Sequence, residues 1–458
     1  MIDSAVVHLD QGRGRRSSPT LATFLSFLWP GLGQWYAGAG RRAALYALPV
    51  LAVAVAVAIQ ASDGAANLVL SLLSPSTALT VVGLVAVLFA WRLLSMADAL
   101  TSTGVRGSWR RPVPVAVFLV LALLITGTHA WAGSLALSFY RAGSQIFVDD
   151  PGPDATGGPS QAPASGGAAT PAPSATPMPA DARINILLVG VDSSEARNHA
   201  LTDTLIVVSV DPLAGAVAMV SFPRDIARFE LPDGRIFRGK INSLMSWAES
   251  RPDEFPDGPL STVSQALGHL LGVPIDFYAS IDLAGFARMV DRVGGVTIDN
   301  QRAIDDPGYG GWSDGRVGFQ LSVGTHTLDG ETALAFVRTR KGAGDNDFNR
   351  ARRQQQLLVA LQRELIDPSM LPELPGLLED LQETVVSNFP PDRLGEMLSI
   401  AQAVDDQGIE RVVLGPPYAI RPTDGLDGGT YTLRLDMARL AALSIELFGA
   451  DSRYAALE

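Results

Sequence analysis

The stretch Thr204–Phe222, TLIVVSVDPLAGAVAMVSF, contains two apolar runs separated by the turn Asp211–Gly215. Short runs that are rich in β-branched residues and flank a Pro- and Gly-containing turn are typical of two paired strands. A third run, INILLVG (Ile184–Gly190), precedes them and ends in glycine. The sequence therefore predicts that a β-sheet begins at Ile184.

Helical and extended patterns alternate after these strands. The predicted helices are KINSLMSWAES, PLSTVSQALGHLLG, LAGFARMVDRVGG and TLDGETALAFVRTR, and the predicted strands between them are DFYASID and VTID. Asp329 precedes the last of these helices and is the expected N-cap. Alternation of this kind predicts an α/β domain, with a central mixed sheet flanked by helices.

The first third of the chain holds most of its apolar excess. A membrane span needs roughly 20 apolar residues, and three segments approach or reach that length: Ala43–Ile59, Ala78–Leu94 and Val113–Leu137. A shorter segment, Leu21–Tyr36, is broken at Pro30-Gly31. It predicts a re-entrant or kinked segment, or alternatively a pair of buried interfacial helices.

The positive charges predict how these segments are oriented. Arginines precede the first and last spans, whereas the loop from Gln60 to Thr77 has no Lys or Arg. Because positive charge collects on the cytoplasmic side, we expect a multi-pass anchor in a bacterial cell membrane, with everything after Leu137 outside the cytoplasm. The expected regions are a cytoplasmic segment (1–20), an all-α transmembrane region (21–140), a linker rich in Pro, Ala, Gly and Ser (149–181) and an extracytoplasmic domain (182–458).

Composition excludes several classes of function. A formal net charge of −12 argues against nucleic-acid binding, which needs a basic face. The chain has no cysteine, so it can form neither a disulfide framework nor a cysteine-ligated zinc site. It has no G-x-S-x-G or H-E-x-x-H pattern, and its five histidines are scattered. Hydrolysis by a serine triad or by zinc has no support.

Two aspartates lie at the edges of predicted strands. Asp192 follows ILLVGV, and Asp203 precedes TLIVVSV. If these strands are antiparallel neighbours, the two carboxylates lie close together and suit Mg²⁺, which takes one or two carboxylates together with phosphate oxygens. A single aspartate at a loop is more often a cap, so the pair alone is weak evidence.

Arginines collect further along the acidic chain. Arg224 follows a predicted strand in SFPRDI, Arg338 and Arg340 alternate at the exit of a predicted helix, and Arg350 shares one face of the next helix with Gln354. Guanidinium groups grip phosphate oxygens through two parallel hydrogen bonds and stay charged when partly desolvated. The cluster is either a clamp for a polyanion such as pyrophosphate or a salt-bridge network with Asp345, Asp347 and neighbouring acids.

These residues resemble a known family. The segments ILLVGVD, TDTLIVVSVDP, VSFPRDI, KINSLMSWA, VDRVGGVTID, LDGETALAFVRTRK and DNDFNRARRQQQLL occur in the order found in the LytR–CpsA–Psr family, from Ile184 to about Leu361. Beyond Asp367 the resemblance gives way to a looser helical pattern, which we still place in the same domain.

The resemblance implies a membrane-anchored phosphotransferase that moves a glycopolymer from a polyprenyl-pyrophosphate carrier to peptidoglycan. It implies that Asp192 and Asp203 hold Mg²⁺ and that the lipid tail occupies an apolar tunnel. It also implies that a set of five residues surrounds the pyrophosphate: Arg224, Arg338, Arg340, Arg350 and Gln354. Which polymer is moved (teichoic acid, capsule or arabinogalactan) is not indicated, and either Asp203 or Asp225 could be the general base.

Two departures separate this chain from the family pattern. Ser193-Ser194 and Leu201-Thr202 stand where the family usually has basic residues near the two aspartates. One charge near the pyrophosphate is therefore either absent or supplied by Arg197. Two rival functions use similar residues: a hydrolase that cleaves polyprenyl pyrophosphates, and a non-enzymatic wall-associated protein that binds the lipid.

Overall fold

The computed structural model describes residues 17–62, 64–105, 107–148, 182–192, 201–370, 372–382, 384–404, 408–425 and 429–456, and only the backbone of Asp192, Leu201 and Pro368. The predicted linker (149–181) lies entirely outside the described residues. The chain divides into two compact units, Met1–Tyr140 and Arg141–Glu458.

The first unit contains only helices among its described residues. They are α1 (Pro19–Leu28), α2 (Leu32–Tyr36), α3 (Gly40–Ser62), α4 (Ala65–Ser71), α5 (Pro75–Ser102) and α6 (Pro112–Ile146), whose last turns belong to the second unit. α3, α5 and α6 are long and apolar enough to cross a membrane, and they contain the three predicted spans. The sequence prediction of three long apolar helices is therefore confirmed.

The broken segment Leu21–Tyr36 forms the helix pair α1–α2. Pro30 and Gly31 separate the helices, and Gly31 takes a φ of +98°, in the left-handed region that favours glycine. Gln34 is fully buried, and its amide nitrogen donates to the Ser95 carbonyl at 2.7 Å and to the Asp98 carboxylate at 3.2 Å. Because a buried amide must find partners, these bonds hold the helix pair against α5.

The second unit is built on a six-stranded mixed sheet. Its strands are β1 (Ile184–Asp192), β2 (Leu201–Asp211), β3 (Ala216–Ser221), β6 (Phe277–Asp282), β11 (Val385–Ser387) and β12 (Ile409–Val413), in the order β11-β6-β1-β2-β3-β12. β1, β2 and β3 are antiparallel neighbours, whereas β6 is parallel to β1 and β12 is parallel to β3. The predicted α/β class and mixed sheet are confirmed.

Helices and short strand pairs surround this sheet. The helices are α7 (Leu244–Glu249), α8 (Gly258–Leu271), α9 (Leu283–Arg292), α10 (Gly330–Arg338), α11 (Asp347–Leu365), α12 (Leu374–Leu381), α13 (Leu394–Ala403) and α14 (Met437–Phe448). The remaining strands are β4 (Ala227–Glu230), β5 (Ile236–Lys240), β7 (Val296–Asn300), β8 (Ile304–Asp306), β9 (Phe319–Leu321), β10 (Gly324–Leu328), β13 (Ala419–Ile420) and β14 (Arg434–Leu435).

Alternation along β1 separates two cores. Leu187 and Val189 are buried in a large core that also contains apolar residues of α8 and α14. Leu188 and Gly190 point to the other face of the sheet, since successive side chains alternate, and line a cavity there. A second core, formed by residues of α9, α10 and α11, lies on that side.

The helix predicted from Lys240 begins later than its pattern indicates, whereas the helix predicted after Leu328 begins at its expected N-cap. Lys240 closes β5, and α7 begins only at Leu244, after a short 3₁₀ turn. Leu328 closes β10, and α10 begins at Gly330 with Asp329 as its N-cap, whose carboxylate accepts from the Thr332 amide at 2.8 Å. In both segments, the first residues of the helical pattern belong to the preceding strand.

Candidate active site

Arg224 lies in the loop that follows β3, directly after Pro223, which fixes the local backbone. Its Nη1 donates to the Asp203 carboxylate at 2.9 Å, so Arg224 joins the end of β3 to the start of β2. Its Nε lies 3.7 Å from a carboxylate oxygen of Asp347, the first residue of α11. The Arg224 side chain is 18% exposed, so its charge is largely removed from solvent.

Asp347 is shared by three guanidinium groups. Arg350 Nη1 lies 3.0 Å, Arg340 Nη1 3.5 Å and Arg224 Nε 3.7 Å from the same Asp347 oxygen. We call Arg224, Arg340, Arg350 and Asp347 the arginine cluster. Asp203 and Asp225 also lie within 4.0 Å of Arg224, and Asp225 is shared with Lys240, so four cations face three carboxylates among the described residues. The arginine cluster therefore keeps an excess of positive charge.

Arg350 is the most buried member of the arginine cluster, at 5% exposure. Burial lowers the pKa of its guanidinium; the Asp347 carboxylate opposes this shift, and the charge of Arg224 adds to it. Its Nε has no hydrogen-bond partner within the described part of the chain. A buried charged donor without a partner is costly to the fold, and an anion bound here would satisfy it.

A second buried network holds the chain between α10 and α11. Arg353, 9% exposed, donates from Nε to the Phe336 carbonyl at 2.8 Å and from Nη2 to the Thr339 carbonyl, and its Nη2 lies 2.9 Å from the Asp345 carboxylate. We call this arrangement the Arg353 clamp. α11 turns Arg353 towards the carbonyls that end α10, whereas the neighbouring Arg352 is exposed.

Asp306 fixes the segment that carries Arg338 and Arg340. Its buried carboxylate accepts from Thr339 Oγ1 at 2.6 Å and from the Lys341 amide at 3.2 Å. Thr339 has left the helix, with an extended backbone. The segment is therefore held from two sides, by Asp306 and by the Arg353 clamp, and this fixes the backbone on either side of Arg340.

Arg338 lies at the C-terminal end of α10, within electrostatic range of Tyr309. Burial raises the pKa of the Tyr309 hydroxyl, and the positive charge of Arg338 offsets part of that rise. Arg338 follows Val337, which lines the apolar cavity described below. Arg338 itself is neither among the residues that line that cavity nor a member of the arginine cluster.

An apolar cavity of about 280 Å³ lies between the sheet and α9, α10 and α11. Its walls include residues from β1, β6 and all three helices: Leu188, Val189, Ile281, Phe286, Met289, Leu334, Val337, Leu357 and Leu358. Gln354 also lines it and donates from Nε2 to the Val337 carbonyl at 3.4 Å. Since Gln354 is four residues after Arg350, one face of α11 runs from the arginine cluster into an apolar cavity.

The predicted metal pair lies where β1 and β2 meet. Asp192 pairs with Leu201 and Gly190 pairs with Thr204, and a bulge between these pairs leaves Asp203 as the extra residue of β2. The strands are antiparallel, as the prediction required, but the side chain of Asp192 lies outside the described residues, as does Arg197. Carboxylate oxygens are the donor type that Mg²⁺ takes; of the predicted pair, the described residues present only the Asp203 carboxylate, which already accepts from Arg224.

Two further residues of the site have no clear signal in the sequence. Lys240, at the end of β5, bonds the Asp225 carboxylate at 2.5 Å, and Asp225 is itself 6% exposed and 4.0 Å from Arg224. Asp306 is separated from Thr339 by more than thirty residues. The only hint for Lys240 in the sequence is that it begins the family segment KINSLMSWA. The apolar spacing of that segment predicts a helix.

Fold and site together define an α/β protein in which an arginine cluster lies beside an apolar cavity, preceded by a unit with three long apolar helices. The chain belongs to the LytR_cpsA_psr family, whose model matches residues 161–447. The resemblance seen in the sequence is confirmed, and the match continues well beyond Asp367, where the sequence motifs fade.

Individual relatives agree with this membership. The polyisoprenyl-teichoic acid–peptidoglycan teichoic acid transferase TagU of Halalkalibacterium halodurans is 32% identical over 216 residues, which cover 47% of this chain and 64% of the relative. The cell wall biosynthesis protein LcpA of Corynebacterium glutamicum is 26% identical, over 59% of this chain and 56% of the relative. This chain thus spans less than two thirds of either relative.

Among solved structures, TagV of B. subtilis is similar to this chain, with 24% sequence identity and a TM-score of 0.47. The alignment covers 58% of this chain and 96% of TagV.

Proposed function

We propose that this protein is a Mg²⁺-dependent phosphotransferase that moves a glycopolymer from a polyprenyl-pyrophosphate carrier to peptidoglycan. The observation that carries the proposal is the buried Arg350. Its unpartnered Nε belongs to a cluster with excess positive charge, and its helix leads directly into an apolar cavity. A ligand with a doubly charged head and a hydrocarbon tail matches both halves of this arrangement. Relatives named as teichoic acid transferases support the reaction class.

Each residue has a defined task in the proposed reaction. Arg224, Arg340 and Arg350 bind the pyrophosphate and stabilise the charge that develops on the departing polyprenyl phosphate. Phosphoryl transfer depends mainly on such positioning and electrostatic stabilisation. Gln354 lines the cavity and orients the junction between head and tail, and Arg338 adds positive charge at the C-terminal end of α10. Asp192 and Asp203 would hold Mg²⁺, which when bound supplies further positive charge at the pyrophosphate.

A proton must leave the attacking sugar hydroxyl. Asp203 and Asp225 are the carboxylates available near the arginine cluster, and each is already engaged by a cation, Arg224 or Lys240. Asp203 is the more accessible, with its side chain 24% exposed against 9% for Asp225. Asp203, however, is also the proposed Mg²⁺ ligand and already accepts from Arg224, so we assign proton acceptance to these two carboxylates without preference.

We also propose that α3, α5 and α6 cross the membrane as a multi-pass anchor and place the second unit outside the cytoplasm. Arg41 and Arg42 precede the apolar part of α3, and Arg110 and Arg111 precede α6, whereas the connection from Gln60 to Thr77 has no Lys or Arg. Positive charge collects on the cytoplasmic side, so the basic ends of α3 and α6 are assigned to that side.

The test uses the full chain in detergent, with Mg²⁺, a polyprenyl-pyrophosphate oligosaccharide and a peptidoglycan fragment. Mass spectrometry should detect a phosphodiester-linked conjugate, which is lost when EDTA replaces Mg²⁺. Arg350→Met should abolish the conjugate, whereas the matched control Arg352→Met, an exposed arginine on the same helix, should retain it.

Other outcomes would contradict the proposal in different ways. Release of sugar phosphate without a conjugate would identify a pyrophosphate hydrolase. Tight binding of the intact lipid without any turnover would identify a non-enzymatic lipid-binding protein.

A further inference from the structure

A second and larger cavity, of about 660 Å³, lies between the β4–β5 hairpin and α7, apart from the apolar cavity. We call it the arginine cleft. Its wall carries three arginines and three serines: Arg235, Arg238, Arg251, Ser243, Ser246 and Ser250. Apolar side chains, among them Leu231, Ile236 and Trp247, line the cleft together with these polar groups.

Aromatic rings in edge-to-face and tilted contact lie at the arginine cleft. Trp247 lies against Phe237 and Phe255, with ring centroids 5.2 Å and 4.9 Å apart. The guanidinium of Arg251 lies 4.9 Å and that of Arg235 5.8 Å from the Trp247 ring. Contacts between cations and aromatic faces hold long side chains in place, so two of the three arginines are fixed before any ligand arrives.

Acidic residues neutralise these two arginines but not the third. Arg235 pairs with Asp233 at 2.7 Å and with Glu254 at 2.9 Å, and Arg251 lies 3.8 Å from Glu254. Arg238 is exposed and makes no ion pair with any residue that the structure describes. The arginine cleft therefore offers one uncompensated positive charge.

The opposite wall presents hydroxyl groups. Ser243, Ser246 and Ser250 are three and four positions apart, a spacing that brings side chains to one face of a helix. The Ser243 hydroxyl donates to the Lys240 carbonyl at 2.7 Å, and that of Ser250 donates to the Trp247 carbonyl at 2.8 Å. Ser250 Oγ already accepts from Arg251 Nη1 at 2.8 Å. Since a hydroxyl oxygen has two acceptor lone pairs, Ser243 Oγ is the better placed of the two to accept from the hydroxyl groups of a sugar.

The arginine cleft begins next to the candidate active site. Gly239 and Ser243 line it, and Lys240 between them bonds Asp225 beside Arg224. The backbone packs closely here, because a Cβ on Gly239 would lie 2.8 Å from the Phe237 ring and 3.0 Å from Ser243 Oγ. The cleft is therefore adjacent to the arginine cluster, and it is a neighbouring surface for a polymer attached to a pyrophosphate bound there.

We infer that the arginine cleft binds a phosphate-bearing glycan segment of the donor, with Arg238 on the phosphate and the serines on sugar or polyol hydroxyls. This inference rests on the proposed function, since it extends the same donor beyond its pyrophosphate. An anionic glycan could also come from the peptidoglycan acceptor, and the experiment separates the two sources.

The test measures binding to the full chain in detergent by isothermal titration calorimetry. The probes are a lipid-free oligomer of glycerol phosphate, a neutral oligosaccharide of similar length and a soluble peptidoglycan fragment. We expect the glycerol phosphate oligomer to bind more tightly than the neutral sugar, with an affinity that falls as NaCl rises. Arg238→Ala should weaken its binding about fivefold, and Arg238→Lys should weaken it less.

The matched control is Arg439→Ala, which removes an exposed arginine on α14 and should leave binding unchanged. Absence of binding to the unaltered protein, or equal loss in Arg238→Ala and Arg439→Ala, would overturn the inference. A loss by Arg238→Ala confined to the peptidoglycan fragment would assign the cleft to the acceptor and overturn the donor assignment.

A transfer assay separates this inference from the proposed function. With a donor that carries a single neutral sugar on its pyrophosphate, Arg238→Ala should transfer as fast as the unaltered protein. With a long phosphate-bearing donor, the variant should show a higher KM and an unchanged kcat. If the unaltered protein transfers neither donor, the proposed function fails, while the binding measurements still decide the role of the cleft.

Discussion

Arg350 and Arg353 lie three residues apart on α11 and belong to two arginine networks. The two networks differ in how well their charges are satisfied. In the Arg353 clamp, one guanidinium meets one carboxylate and two backbone carbonyls. In the arginine cluster, three guanidinium groups share Asp347, and the buried Arg350 keeps an Nε without a partner among the described residues. Arg350 and Arg353 are both buried, so burial alone does not distinguish them.

This difference distinguishes an arginine that stabilises the fold from an arginine that binds a ligand. A satisfied network stabilises the fold and leaves nothing for a ligand, whereas an excess of charge with unmet donors destabilises the empty protein and favours an anion. The sequence left two interpretations open for these arginines: a binding site for a polyanion and a salt-bridge network. The structure contains both arrangements, on different turns of α11.

The largest expected effect is on stability, at the clamp. Arg353→Met removes a buried cation and leaves Asp345 and two carbonyls without their donor, so the free energy of unfolding should fall by about 3–5 kcal/mol. Urea unfolding of the full chain in detergent, followed by tryptophan fluorescence, measures this change. A loss of less than about 1 kcal/mol would show that the clamp does not differ from a surface ion pair.

The second-largest effect is expected on the rate of glycopolymer transfer, when a residue of the arginine cluster is replaced. Arg350→Met should slow glycopolymer transfer about 10²–10³-fold, the range found when one charge-stabilising donor is removed from an active site. Stability should be unchanged or higher, because the substitution relieves repulsion from Arg224 and the burial of an excess charge. If Arg350→Met instead unfolds the protein as Arg353→Met does, the distinction between the networks is wrong.

Asp306 couples the two networks, so its replacement should affect both properties. Asp306→Asn weakens the bonds to Thr339 and Lys341 and should lower the free energy of unfolding by about 1–3 kcal/mol. Transfer should also slow, because Arg340 loses its fixed backbone. Asp305→Asn is the matched control: Asp305 is exposed and accepts from Gln320 at 3.1 Å. Equal effects of the two substitutions would remove Asp306 from the coupling.

The smallest effect is expected at Arg352, between the two networks in sequence. Its guanidinium is exposed and donates to the Asn349 side chain at 3.0 Å. Arg352→Ala should change the free energy of unfolding by no more than about 0.5 kcal/mol, as is usual for surface positions, and should leave transfer unchanged. A strong loss of transfer, measured with the same donor, would extend the arginine cluster to this face of α11.

Local patterns predicted many of the elements that build the site. The apolar runs of β1, β2 and β3, the turn Asp211–Gly215 and the N-cap at Asp329 are all read from neighbouring residues, and the structure contains each of them. The short edge strands β11 and β12 were not predicted. Three to five residues carry too little pattern of their own, and pairing with β6 and β3 is what makes them strands.

The sequence by itself determined the α/β class, the three long apolar helices, the family and the set of arginines around the candidate site. Only the tertiary structure decided that Arg353 is a clamp, that Arg224, Arg340 and Arg350 share Asp347, and that Gln354 faces an apolar cavity. The reason is the distance along the chain over which each kind of interaction acts. Hydrophobic periodicity and capping act between residues a few positions apart, whereas a shared carboxylate depends on distances between groups brought together from β3, α10 and α11 by the packing of the whole domain.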